Sequence, residues 1–136
     1  MINDVKQFSW SLSELARAAK TEVIGGGFPD TIEAVGTDSR SLPPGCLFIA
    51  LRGERFDGHA FIEEAVRQGA RAVLMDQEGA SSHQDLENLG VGVLVAEDTL
   101  QAYGDIAAFH RREMARPVAA ITGSNGKTTT KELLAA

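Results

Sequence analysis

The residues most suited to chemistry lie near the end of the 136-residue chain, in Gly123-Ser124-Asn125-Gly126-Lys127-Thr128-Thr129. They leave an apolar run, residues 117–122, and lead into a segment that reads as a helix from Lys127 onward. Glycines at such a junction let the backbone curl until successive N–H groups converge on one point. The start of the helix adds its partial positive charge, so the loop suits the phosphates of a nucleotide, here ATP. In such a loop Lys127 reaches the β- and γ-phosphates and the Thr128 hydroxyl is a ligand for Mg²⁺, which makes both catalytic candidates. Only two residues separate Gly123 from Gly126, where the common phosphate loop has four between its glycines.

A loop of this kind needs a parallel sheet behind it. Residues 91–96 read as a strand, and Asp98 or Thr99 can cap a helix in which Leu100, Tyr103, Ala107 and Met114 share a face. With the strand at 117–122 this predicts a βαβ unit opening a parallel sheet. One or two strands cannot finish such a sheet, so the expectation is an N-terminal piece of a longer protein, with 91–136 its less stable half.

The preceding part reads as a small α/β unit. Ser11 and Glu14 have capping-box spacing at the start of a helix over 11–20, with Leu12, Leu15, Ala16 and Ala19 on one face. Residues 31–37 form an expected strand, Pro43-Pro44-Gly45 a turn, and 46–51 a buried strand. A polar stretch, 52–58, leads to a helix with Phe61, Ile62, Ala65 and Val66 inward and Gly69 as its stop. Residues 72–75 are another strand, and the polar, aperiodic 76–90 read as a loop or domain boundary. The expected division is therefore 1–85 and 86–136.

Composition bounds the partners. Hydrophobic residues make up 43% and charged residues 24%, as in ordinary soluble domains, and the net charge of −6 argues against a general nucleic-acid binder. No apolar run is long enough to span a bilayer, and residues 1–10 lack a basic segment followed by an apolar one, so neither a membrane span nor a secretory signal is expected. The single Cys46 lies in an apolar strand without a partnered histidine and reads as a small buried residue; it fits a cytoplasmic location. Glu54, Asp57, Glu63 and Glu64 read as a solvated acidic group, His59 as structural, and His83 and His110 as lacking partners at metal spacing.

Two stretches together resemble a known family. The segment from Thr122 to Glu132 is similar to the ATP loop of the Mur ligases, which use the shorter glycine spacing. Thr37-Asp38-Ser39-Arg40, the run from Pro44 through Leu51-Arg52-Gly53-Glu54-Arg55-Phe56-Asp57-Gly58-His59, and Gly69-Ala70-Arg71-Ala72-Val73-Leu74 resemble the first domain of the same ligases. The resemblance implies three domains: the first for the UDP end of the substrate, the second for ATP, the third for the incoming amino acid or dipeptide. On that basis 1–85 is the UDP-substrate domain, 86–136 the incomplete ATP domain, and the ligase domain is absent.

The implied reaction is amide-bond formation through an acyl phosphate in peptidoglycan precursor synthesis, by a monomeric enzyme using ATP and Mg²⁺. Gly-Glu-Arg-Phe-Asp and Lys131-Glu132 resemble the member that joins D-Ala-D-Ala to UDP-N-acetylmuramoyl-tripeptide. The alternatives are the member adding a diamino acid as third residue, or a nucleotide-sugar binding module alone, and the fragment by itself is expected not to ligate. Contacts to the UDP end carry over to Thr37, Ser39, Arg40, Glu54, Arg55 and Phe56. Ser39 would bond the uracil edge, Arg40 or Arg55 a phosphate, and Phe56 would stack on the base. Asp38-Ser39-Arg40 can equally fix a turn, with Arg40 paired to Asp38 or Asp57.

Overall fold

A computed structural model describes residues 9–24, 31–86 and 90–114. The architecture is mixed α/β. Strands β2 (Val23–Ile24), β4 (Ala34–Gly36), β5 (Cys46–Ile49), β6 (Ala72–Met75) and β7 (Gly92–Val95) form one sheet in the order β2-β7-β6-β5-β4. β4 through β7 run parallel and β2 is antiparallel at one edge. A separate pair joins β1 (Trp10–Ser11) to β3 (Thr31–Ile32).

The sheet is covered on both faces, which is why β5 and β6 are apolar at every position rather than alternating. Leu47, Ile49, Leu74 and Leu94 point to one side, where α1 (Leu12–Ala18) supplies Leu12 and Leu15 and α4 (Thr99–Met114) supplies Ala102 and Ile106. Phe48, Val73, Met75 and Val93 point to the other, against Ile62 and Ala65 of α2 (Ile62–Arg67).

Local signals account for several element ends. Ser11 caps α1 through both capping-box bonds: its hydroxyl accepts from the Glu14 N–H at 3.0 Å, and the Glu14 carboxylate accepts from the Ser11 N–H at 2.8 Å. Gly69, at φ +106, stands just past the Gln68 cap of α2, as expected of a helix stop.

Several expectations are corrected. The strand over 31–37 is interrupted at Glu33, so that β3 serves β1 while β4 joins the main sheet. Residues 76–90 contain a short helix, α3 (Gln77–Ser82), whose cap is Asp76 accepting from the Gly79 N–H; it presents too few apolar residues to register as a periodic pattern. The division at 85/86 does not separate two sheets, because β7 pairs with β6 at four positions and with β2 on its other side. For the same reason 92–95 has a strand neighbour on each side. On α4 the face expected to pack is turned outward, with Leu100 65% and Tyr103 37% exposed; the helix buries the smaller stripe of Thr99, Ala102 and Ile106. Phe61, expected inward, is exposed because a 3₁₀ turn over Gly58–Phe61 precedes α2.

Candidate functional site

Ligands of open parallel sheets bind beyond the carboxyl ends of the strands. Two chain segments leave β4 and β5 at that end. Thr37, Asp38, Ser39 and Arg40 follow β4, and Phe56 and Phe61 follow β5; together they line a cavity of about 440 Å³.

The first segment is a self-bonded turn. Asp38 accepts from the Arg40 backbone N–H at 2.9 Å, from its Nε at 3.0 Å and, through the second oxygen, from Nη2 at 3.0 Å. The guanidinium fork beside it holds the Asp38 carboxyl down to about 2. Arg40 is thus committed to Asp38, as the scaffold reading anticipated, while its side chain stays exposed.

Ser39 behaves differently from its neighbours. It is 5% exposed, and its hydroxyl has no hydrogen bond among the described residues. No described side-chain oxygen or nitrogen is both sealed off and unpartnered, so the hydroxyl is open to the cavity that Ser39 lines. A buried polar residue with unused bonding capacity suits a ligand that brings the missing partner.

Phe56 and Phe61 form the apolar wall. Their rings stack at 5.3 Å and 13°, yet they remain 51% and 40% exposed. Phe56 is presented by a tight hairpin. The Gly53 N–H donates to the Phe56 carbonyl at 2.6 Å, the Gly58 N–H to the Leu51 carbonyl at 2.7 Å, and Arg52 bridges to Asp57.

Of the expected UDP contacts, the structure brings Thr37, Ser39, Arg40 and Phe56 together. Glu54 and Arg55 are exposed on the hairpin and do not line the cavity. Phe61 was missed as a lining residue. It closes the 3₁₀ turn Gly58–Phe61 before α2 begins, so it does not share the inward face of Ile62. Cys46 is buried, and burial pushes its thiol up, against nucleophilic use. The loop at 123–129, with Lys127 and Thr128, lies outside the described residues.

The description "Mur ligase family, catalytic domain" matches residues 31–111, more than half of the chain. The chain belongs to the Mur ligase family. Within the family it is 41% identical over 128 residues to the UDP-N-acetylmuramoyl-tripeptide–D-alanyl-D-alanine ligase of Escherichia coli (strain K12), covering 94% of this chain and 26% of that one. Among solved structures it is similar to MurF from Acinetobacter baumannii, with a TM-score of 0.73 and 34% identity over 96% of this chain and 27% of that one. MurF from Thermotoga maritima in complex with ADP matches with a TM-score of 0.55 and 33% identity, covering 74% and 22%. The chain therefore spans about a quarter of the length of the relatives it matches.

Proposed function

We propose that the described unit holds the UDP end of a peptidoglycan precursor in an ATP-dependent ligase that joins D-Ala-D-Ala to UDP-N-acetylmuramoyl-tripeptide. One observation carries the reading. An open, unpartnered Ser39 hydroxyl faces a cavity walled by two exposed, stacked phenylalanines, in a chain similar along most of its length to ligases of that name. Uracil has a π-face for Phe56 or Phe61 and a polar edge for Ser39. Arg40 is tied to Asp38 but keeps unused N–H donors on an exposed side chain, and Arg55 stands nearby on the hairpin; both suit the diphosphate.

A carboxylate is a poor electrophile at neutral pH. In the proposed reaction a carboxylate oxygen of the tripeptide attacks the γ-phosphorus of ATP and ADP leaves. The amine of D-Ala-D-Ala then attacks the acyl carbon, inorganic phosphate departs and the amine gives up a proton. Gly123, Ser124, Asn125, Gly126 and Thr129 would supply N–H groups to the phosphates, and Lys127 a positive charge for the transferring group. The Thr128 hydroxyl would be the hard oxygen donor that Mg²⁺ takes, and the ion when bound would neutralise phosphate charge. The ADP complex of the Thermotoga maritima relative supports nucleotide use.

The UDP-binding unit is proposed to run through α4, because β7 and α4 complete its sheet and one of its core layers. Calorimetry of this chain with UDP tests the binding half: saturable binding supports it, and none at millimolar UDP refutes it. In the full-length enzyme, phosphate release from ATP must depend on both UDP-sugar tripeptide and D-Ala-D-Ala. Release with a diamino acid in place of the dipeptide would favour the sister ligase.

A further inference from the structure

The hairpin carrying Phe56 is closed on itself by backbone bonds, but those bonds do not fix it against the sheet. Two side chains do. Arg52 donates from Nη1 to Asp57 Oδ2 at 2.7 Å, and from Nε and Nη2 to Asp76 Oδ2 at 2.9 and 2.7 Å. Glu78 stands 3.6 Å from the same guanidinium. His59 is buried between the same two carboxylates. Its Nδ1 lies 2.6 Å from Asp57 Oδ1, and its Nε2 accepts from the Asp76 backbone N–H at 3.1 Å. The same Nε2 stands 3.2 Å from Asp76 Oδ1, so both ring nitrogens face a carboxylate.

Arg52, Asp57 and His59 all follow β5, and the contacts to Asp76 and Glu78 cross to the loop that leaves the adjacent parallel strand β6. Asp76 also caps α3, and the first turn of α3 seats on the imidazole: a β-carbon at Gly79 would overlap the His59 ring. Phe61 lies two residues after His59 in the same 3₁₀ turn. Neither the buried imidazole nor the guanidinium lines the cavity.

We propose that His59 and Arg52 are positioning residues that hold Phe56 and Phe61 in their stacked, outward-facing arrangement before a ligand arrives. The inference rests on the UDP-binding reading for its ligand. Its physical logic is preorganisation: two exposed phenyl rings left to themselves would swing among rotamers or fold onto the surface, and a ligand would have to order them.

The test uses the whole 136-residue chain, with UDP calorimetry and ring-to-ring nuclear Overhauser contacts between Phe56 and Phe61. His59→Leu is expected to weaken UDP binding about ten-fold and to lose the ring contacts. His59→Gln, whose side-chain oxygen can accept from the Asp76 N–H, is expected to restore affinity to within about three-fold of wild type. Ile106→Val loosens the opposite core layer and is expected to leave affinity unchanged. If His59→Leu does not fold, Arg52→Met gives the same two readouts. Wild-type affinity and ring contacts in His59→Leu or Arg52→Met would overturn the proposal. So would an equal loss in Ile106→Val, or no recovery in His59→Gln. If the wild-type chain binds no UDP, the functional reading fails, while the ring contacts still decide the positioning role.

Discussion

Asp38 grips Arg40 through three hydrogen bonds, one from the backbone and two from the guanidinium, all between 2.9 and 3.0 Å. The pair sets the turn in which Ser39 sits, so that the charged side chains on either side of Ser39 are bonded to each other. Arg40→Gln should let the Asp38 carboxyl climb from about 2 toward its ordinary 3.8. A carboxylate titration followed by NMR measures this directly, and an unmoved Asp38 would contradict the assignment.

Acid should weaken the fold by a related route. Burial pushes the Asp57 and Asp76 carboxyls up, but hydrogen bonds outweigh it: the His59 N–H and ring for Asp57, the Gly79 N–H and Arg52 for Asp76. Both end below the ordinary carboxylate value, as Asp38 does. The unfolded chain therefore takes up these protons first. The stabilisation is complete above the ordinary carboxylate range and is lost as pH falls through about 4 and below. Urea midpoints at pH 7 and pH 3 should show the drop, and Arg52→Met should shrink it.

Phe61→Ala should weaken UDP binding by about 1–2 kcal/mol, in the range of one lost base–aromatic stack. The ring is exposed, so the urea midpoint should hardly move. Calorimetry and denaturation on the same sample separate the two effects.

Ser39→Ala should reduce UDP affinity by about 1 kcal/mol, the net worth of one hydrogen bond. Because the hydroxyl has no partner in the described structure, the unliganded fold should lose little. A large fall in stability without ligand would show that Ser39 is scaffold.

The two stripes of α4 and the strand beside it give a sharp contrast. Leu94→Ala removes a fully buried side chain from β7 and should cost about 2–5 kcal/mol. Leu100→Ser changes a residue that is 65% exposed and should stay within about 0.5 kcal/mol. Denaturant unfolding of both variants distinguishes the observed helix orientation from the one the apolar spacing alone suggests.

The elements legible in the sequence are those whose signals are local. The capping box of Ser11 and Glu14, the apolar runs of β5, β6 and β7, and Gly69 as a helix stop all stand where their residue types place them. What was not legible depends on partners distant in the chain. α4 carries two apolar stripes, and only packing against α1 and the sheet selects the one with Ile106 over the one with Leu100 and Tyr103. The polar composition of 76–90 hid both α3 and the fact that β7 continues the same sheet. In the site, the motif around Ser39 pointed to the right turn, whereas Phe61 was assigned to the core, because the 3₁₀ turn that rotates it outward depends on Asp57 accepting from the His59 N–H.

The sheet divides the interior into two side-chain layers. One contains Trp10, Leu94 and Ile106; the other contains Ile62, next to Phe61 in the chain, and Met75. Substitutions in layers that share no partners combine additively. Hardening of the Trp10 layer is therefore an independent dial. It can raise tolerance to heat or denaturant without retuning the aromatic wall, and the margin gained there could carry riskier changes of ligand preference on the far side of the sheet.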